Sequence, residues 1–483
     1  MLVVVCLGFL LSLFLLFVNN FIKGRYSWLV TFVPLSTFIY FCTFLDDISK
    51  GDVIKISYAW IPAFDVNISF LLDGLSLLFV LMISGIGTLV FWYTSSYLKG
   101  HEYLDRFYSY LGIFMSAMLG LVLSDNLISM FIFWELTSIS SFFLIGFNNE
   151  SGSSRKSALL ALGITGVGGL FLLVAAVILG QVTSTYTISE MLTMSNDIAM
   201  SSGYVFIVIL IFLAAFTKSA QFPFHFWLPG AMKAPTPVST YLHSATMVKA
   251  GIYLILRFTP ILGETSLWKT SLIVVGAITM LYSAIQMLFR TDLKAILAYS
   301  TICALGILTF LTGLGTYEAL VAALVFIVVH ALYKASLFLI TGIIDHETGT
   351  RDITKLSGLS QGLMPIAVAG FIAALISGGV IPTLGFVGKD LIYESTLHFE
   401  SSPWVLTTIA IATNILLFYG GFLVGVKPFL GKKPEAFKHL HMPSIRLWLP
   451  PMLMVGLGLI LGFMPFLLGD SLVMPGAEIL SRG

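Results

Sequence analysis

A handful of ionisable side chains sit where charge is costly. Lys218 lies in YVFIVILIFLAAFTKSAQFPFHFWLP, five residues before Pro223. A lysine inside an apolar span is costly and tends to be functional, and a helix broken beside it frees backbone groups that can line a hydrated cavity. Glu135 lies in the middle of SMFIFWELTSISSFFLIG. Desolvation disfavours its charge and a lysine partner favours it, and a carboxyl under those opposed pulls can exchange a proton near neutrality. Thr137, Ser138, Ser140 and Ser141 are candidates to hydrogen-bond it or to hold water. The bland alternative is a fixed Glu135–Lys218 pair that only packs helices.

His243 and Lys249 share the next apolar stretch. Six residues on a continuous helix is about 240°, so they are expected to point to different sides, as successive stations. His330 and Lys334, in IVVHALYKASLFLIT, are four apart and share one helix face. Two such groups repel when both are charged, which suits a proton relay. A second interrupted stretch, LISGGVIPTLGFVGKDLIYE, carries Pro382 and Lys389. In the first break the lysine precedes the proline; here it follows. Reversed order is what an inverted-topology repeat produces, and interrupted spans in two halves point to transport sites. Asp390 and Glu394 read as interfacial charges.

The elements that position these residues are membrane spans. The chain has 483 residues, 58% hydrophobic and only 10% charged, against roughly a quarter charged in soluble domains. This predicts an all-α polytopic membrane protein, since the alternating ten-residue strands of a β-barrel do not appear. With about twenty apolar residues per crossing, spans are expected at 1–18, 26–45, 70–94, 107–124, 126–147, 157–181, 203–228 (broken), 238–258, 270–289, 295–312, 319–342, 364–398 (broken), 404–425 and 446–468. The apolar start lacks a basic n-region and a cleavage site, so it reads as the first span. The segment 46–69, with the alternation ISYAWIPAFDVNISF, reads as a short hairpin or a surface segment. Cys6, Cys42 and Cys303 lack metal-type spacing and read as small apolar packers.

Charge placement tests that topology. Of 25 Lys and Arg, 16 fall in loops after odd-numbered spans and only five, Lys50, Lys55, Arg257, Lys269 and Arg482, after even-numbered ones. Positive residues favour the cytoplasm, so both termini are expected outside. The remaining four are Lys218, Lys249, Lys334 and Lys389. RTDLKAILAYST, with Arg290, Asp292 and Lys294, reads as interfacial anchoring, and DHETGTRD, from Asp345 to Asp352, as a solvated charged loop with no metal spacing. The net charge of +1 argues against a nucleic-acid partner.

FWELTSISSFFLIGF, FTKSAQFPFHFWLPGAMKAPTPVSTYLHSATMVKAGIYLI, RTDLKAILAYST, HALYKASLFLITGIIDHETGTRDITKL and GFVGKDLIYE together resemble the antiporter-like subunits shared by Mrp cation/proton antiporters and respiratory complex I. The wording is most similar to the A-subunit branch of the Mrp family and covers roughly 70–400. The resemblance implies about fourteen transmembrane helices, with two inverted five-helix repeats, each carrying a broken helix. Boundaries then fall at 1–106 (N-terminal helices), 107–258 (first repeat), 259–425 (second repeat) and 426–483 (basic loop and last helix). It implies a mid-membrane polar axis on which Glu135 and Lys218 match a glutamate–lysine pair, Lys249, His330 and Lys334 the central chain, Lys389 the terminal lysine, and His243 a conducting histidine. Members of that branch usually continue well beyond the fourteenth helix.

The function expected is proton translocation in the plasma membrane, within a hetero-oligomeric antiporter exchanging H+ for a monovalent cation, Na+ by the resemblance. No cofactor is expected; a cation site is not readable. The rivals are a proton-pumping subunit of a redox-driven complex, whose redox centres would sit in partner subunits, a scaffolding subunit, and a haem carrier using His243 and His330, which would require facing histidines on neighbouring helices.

Overall fold

The computed structural model describes residues 1–17, 26–61, 66–438 and 440–481. Apolar runs of this length satisfy their backbone groups as helix, because a bilayer offers no other partner. The first helices are α1 (Leu2–Phe17) and α2 (Phe32–Cys42). A hairpin follows, β1 (Ile54–Ile61) pairing antiparallel with β2 (Val66–Leu72), with a bulge between Ala59 and Ile61. The expected hairpin at 46–69 is therefore present; its tip, 62–65, lies outside the described residues. Then come α3 (Gly74–Tyr97), α4 (Leu104–Leu123), α5 (Leu127–Ile145) and α6 (Gly152–Thr183).

The first interrupted span is α7 (Tyr204–Lys218), a short turn, and α8 (Trp227–Ala231). The next stretch is also divided, into α9 (Thr236–Ser244) and α10 (Met247–Leu262). Next are α11 (Ser266–Leu288), α12 (Leu293–Leu314) and α13 (Tyr317–Thr348). The second interrupted span is α14 (Met364–Gly378) and α15 (Leu384–Leu397), followed by α16 (Pro403–Gly425), α17 (Ile445–Phe463) and α18 (Met474–Leu480).

Among the described residues, ten helices are long and apolar enough to cross a membrane by length and composition, and four apolar helices are shorter. Every stretch expected to span contains helix; the number of crossings stays an expectation. Burial sorts the helices. The most apolar window of α13 is 100% buried and that of 236–262 is 94% buried, whereas those of α6 and α11 are 39% buried. So α13 and the α9–α10 pair form the centre, and α6 and α11 lie at the perimeter with Leu159, Leu170, Val274 and Ile278 facing outward.

Three expectations drawn from sequence are corrected. Arg257 is not a loop residue: it lies inside α10, 3% exposed, and its guanidinium reaches both Asp73 carboxylate oxygens at 2.5 and 2.9 Å. Lys294 is not an interfacial anchor: it is 2% exposed and donates to the Ala234 carbonyl at 2.9 Å. The DHETGTRD segment is solvated as expected but only partly loop: Asp345–Thr348 form the last turn of α13, and Arg351 pairs with Asp292 and Asp345. In each case apolar flanks hid a long-range partner. Local sequence shows the flanks and not the helix that will pack beside them.

Candidate functional site

The first break is made by termination and not by a kink. α7 stops at Lys218, Ala220 adopts a left-handed conformation (φ 49°), and the Gln221 N–H closes onto the Phe216 carbonyl at 2.9 Å. Pro223, lacking an N–H, cannot continue the ladder. Lys218 thereby sits in the last turn of a half-helix, whose carbonyl end favours a cation. The Trp227 indole N–H donates to the Thr217 carbonyl at 2.9 Å and holds the broken ends together.

Lys218 is wholly buried. Its ammonium donates to Ser138 Oγ at 2.7 Å and to the Trp134 carbonyl at 3.2 Å, and stands 5.2 Å from the Trp134 ring centroid. Glu135 is within electrostatic reach, yet no ion pair within 4 Å joins the two among the described residues. The Glu135 carboxylate turns toward α6, where Oε1 is buried without a protein partner beside Gly169. The neighbouring hydroxyls do not bond the carboxylate as expected. Thr137, Ser138, Ser140 and Ser141 all donate to carbonyls of their own helix, and Ser138 alone also receives Lys218.

Gly169 is what makes room for this carboxylate: a Cβ there would run into Glu135 Oε1. Gly169→Ala is therefore expected to displace Glu135 at an overpacking cost of about 1–3 kcal/mol, and to depress transport more than stability. Parallel transport and thermal-unfolding measurements would show it; unchanged transport would mean that the glutamate's position is not demanding.

Lys249 follows the second discontinuity. α9 ends at Ser244 and α10 begins at Met247, with Thr246 between them at φ −128° and ψ −101°. The expectation that His243 and Lys249 diverge by about 240° required a continuous helix and does not apply. Lys249 is fully buried in the first turn of α10 and donates 2.7 Å to the Ile327 carbonyl of α13. That carbonyl lies three residues before His330, so the lysine meets α13 one turn from the histidine. Ser219, next to Lys218 in the chain, has a buried hydroxyl without a protein partner and packs against Gly251 of α10.

His330 and Lys334 lie on one face of α13 as expected. His330 is fully buried, both ring nitrogens lack a protein partner, and Lys249 and Lys334 are both within its electrostatic reach. Lys334 donates to Ser300 of α12 and stands 5.3 Å from the Tyr333 ring centroid. Cys303 lies within reach of both Lys334 and Lys389, one helical turn beyond Ser300. His243, fully buried and also without a protein partner at either nitrogen, has Lys294 within electrostatic reach, and its ring centroid stands 6.2 Å from that of Phe338 on α13.

Lys389 lies in α15, with its aliphatic stem against Gly379 at the end of α14. It is 7% exposed, and its ammonium donates 3.4 Å to the Asn414 carbonyl of α16. Asp390 and Glu394 are exposed.

The arrangement brings Glu135 and Lys218 together at one end, Lys249, His330 and Lys334 along the centre, and Lys389 at the other end. Lys218, Lys249, Lys334 and Lys389 are held by neutral oxygens and have no ion-pair partner within 4 Å among the described residues. Uncompensated buried ammonium groups are expensive, so such a row suits groups that release and regain protons. The orphan polar atoms between them are the kind that buried water bridges. The sequence missed Lys294, whose signal was present as a lysine one residue into an apolar run. It also missed Asn414, an amide in the middle of a span. Among the described residues no cluster of three or more His, Cys, Asp or Glu could hold a metal ion. Two sizeable clefts lie away from this row. One, of about 400 Å³, is lined by Tyr103, Arg106, Phe143 and Arg155 at helix ends; the other, of about 460 Å³, is apolar and lined by Phe38, Leu81, Leu332 and Leu457.

The family described as NADH:quinone oxidoreductase/Mrp antiporter, TM, matches residues 124–416, and that described as NADH-ubiquinone oxidoreductase (complex I), chain 5 N-terminus, matches 60–108. The chain is 41% identical over 480 residues to a Na(+)/H(+) antiporter subunit A1 of Staphylococcus aureus strain JH9, covering 94% of this chain and 60% of the relative. It therefore spans about 60% of the length of the curated relatives it matches. Among solved structures it is similar to a chain of the Mrp complex from Dietzia sp. DQ12-45-1b, with a TM-score of 0.86 and 35% identity over 99% of this chain and 52% of that one. It shares its fold with a chain of respiratory complex I from Thermus thermophilus, with a TM-score of 0.86 and 21% identity over 99% of this chain and 98% of that one.

Proposed function

This chain belongs to the NADH:quinone oxidoreductase/Mrp antiporter family, and from that premise we propose that it is the proton-translocating subunit of a multisubunit Na+/H+ antiporter. The observation that carries the reading is the row of buried lysines held by carbonyl and hydroxyl oxygens without ion pairs. A permanent charge at each would be uncompensated. A lysine that loses its proton after passing it to the next acceptor is not. Protons move along Glu135, Lys218, Lys249, His330, Lys334 and Lys389, with water bridging the orphan groups between them, and His243 joins from the Lys294 side. Charging one station repels the charge on the next, because low-dielectric surroundings leave such interactions weakly screened.

The cation is Na+ and the setting is a complex with further subunits, by likeness to relatives named as Na(+)/H(+) antiporter subunits and to the Mrp complex. The chain lies in the plasma membrane with both termini outside, on the strength of its Lys/Arg asymmetry. The two breaks belong to two inverted repeats, 107–258 and 259–425.

Glu135→Ala in the assembled complex, reconstituted in vesicles, is expected to cut Na+-driven proton movement severely while subunit composition stays normal. Undiminished proton movement with normal assembly would remove the relay. The fold shared with complex I supports a second reading, a pump subunit driven by redox chemistry in partner chains. Iron–sulfur or flavin proteins among co-purifying subunits would favour it, and small membrane subunits alone would favour the antiporter.

A further inference from the structure

Away from the row of lysines, the cleft of about 400 Å³ where the ends of α4, α5 and α6 meet has the composition of a ligand site. Its floor is aromatic: the Tyr110 and Phe143 rings stack at 5.0 Å, and Phe147 stands edge-on to Phe107 at 4.9 Å. Its mouth is basic. Arg106, in the first turn of α4, lies 4.8 Å from the Tyr103 ring centroid, and Arg155, in the first turn of α6, donates through Nη1 to the Asn149 and Glu150 carbonyls. Neither guanidinium has a carboxylate within 4 Å among the described residues, and the lining carries a single acid, Glu150, against the two arginines. A guanidinium with open N–H groups suits the planar, doubly bonded recognition of a phosphate. The floor runs on into membrane-facing surface. Phe143 is 43% and Leu159 59% exposed, and Ile139, one turn deeper on α5 than Phe143, extends the apolar track at 45%. The flanking loops, 98–103 and 146–151, lie on the side that the Lys/Arg asymmetry assigns to the cytoplasm, where the membrane surface is negative.

We propose that this cleft binds an anionic phospholipid, with the phosphate between Arg106 and Arg155 and the glycerol end of the acyl chains on Phe143 and Leu159. The inference is independent of the proton relay. Charge and shape together select the ligand. A free phosphate would use the arginines and leave the aromatic floor bare. A zwitterionic headgroup would bring its ammonium toward two guanidinium groups, which repel it. An acidic segment of a neighbouring subunit could meet the arginines, but the apolar track leads from the mouth down α5 and α6 toward the hydrocarbon, which is the direction acyl chains take. Tyr103, at the mouth beside Arg106, sits at the headgroup level that aromatic side chains favour.

The test uses the assembled complex in phosphatidylcholine vesicles that contain phosphatidylglycerol with a photoreactive diazirine near the glycerol end of one acyl chain, or phosphatidylcholine with the same reporter. The phosphatidylglycerol reporter is expected to label peptides spanning 103–110 and 142–159 well above the phosphatidylcholine one. Arg106→Gln and Arg155→Gln are each expected to lower that labelling about fivefold, the usual worth of one basic side chain at an anionic headgroup, and the double variant to lose most of it. Lys432→Gln with Lys433→Gln removes as much charge from the same side outside the cleft and is expected to leave labelling unchanged. Equal labelling by the two reporters, or undiminished labelling in the double arginine variant, overturns the site. Competition by excess inorganic phosphate also overturns it, since that marks a site for a soluble anion. So does a cleft that neither lipid labels and that a cross-linker joins to a neighbouring subunit. If the double arginine variant fails to assemble, the comparison of the two reporters on the parent complex decides.

Discussion

Lys218→Ala is expected to reduce Na+-driven proton movement by about 10²-fold, the usual worth of a positioned proton-transfer group, in a complex that still assembles. The informative companion is Lys218→Arg. Arginine keeps the positive charge and does not release its proton. If Lys218 only balanced Glu135, the arginine variant would transport normally. If Lys218 carries the proton, arginine is as inactive as alanine. The geometry favours the second outcome: the ammonium is held by Ser138 Oγ and the Trp134 carbonyl, without a carboxylate within 4 Å. Transport by the arginine variant at the parent level would return Lys218 to a structural role. Proton movement in reconstituted vesicles, read with a pH-sensitive dye, and subunit composition on a native gel check both variants.

The second large effect is on stability and involves no proton transfer. Asp73→Ala is expected to destabilise the fold by about 3–5 kcal/mol, because it leaves the Arg257 guanidinium buried and unpaired. Asp73 does two jobs at once. It caps α3 through the Ser76 N–H at 2.9 Å, and it binds Arg257 through both oxygens. Arg257 in turn touches the Tyr253 hydroxyl at 3.1 Å, which donates to the Val122 carbonyl at 2.6 Å, so one ion pair ties α3, α10 and α4. α18 packs directly against this corner, with Gly74 close to Pro475 and Gly476. Replacing both partners by apolar residues, Asp73→Leu with Arg257→Met, is expected to cost less than either single change. Thermal unfolding in detergent measures the three variants. A double variant no more stable than the worse single would mean that the corner depends on its charges and not on mutual neutralisation.

Arg257 and Lys218 show what a buried cation can mean. Both are almost completely enclosed and both lie in apolar sequence. Arg257 meets a bidentate carboxylate and is fixed; Lys218 meets neutral oxygens. The difference in environment follows from the partner each finds across the helix interface, 184 residues away in one case and 80 in the other.

The sequence was most legible where one residue type carries its own penalty. Lys218, Lys249, Lys334, Lys389, Glu135 and His330 declared themselves because charge or an idle imidazole in a span is expensive wherever the chain runs. The breaks at Pro223 and Pro382 were readable for the same reason, since a missing N–H is a local fact. The discontinuity at Thr246, where the hydroxyl donates to the Tyr241 carbonyl at 2.6 Å, was not, because SATMVK contains no proline or glycine. Nor was the direction of Glu135, which depends on the space that Gly169 leaves on α6. Lys294 and Arg257 were misplaced because hydropathy cannot tell a helix end in water from one covered by a neighbour.

The amino-acid order alone thus determined that this is a helical membrane protein, which of its side chains are costly to bury, and where two of its helices must break. Those are consequences of desolvation and backbone chemistry, which act residue by residue. Only the tertiary structure decided which costly groups meet an opposite charge and which meet only neutral oxygens. That depends on distances between helices far apart in sequence, where a carboxylate at 2.5 Å meets Arg257 and a serine hydroxyl at 2.7 Å meets Lys218.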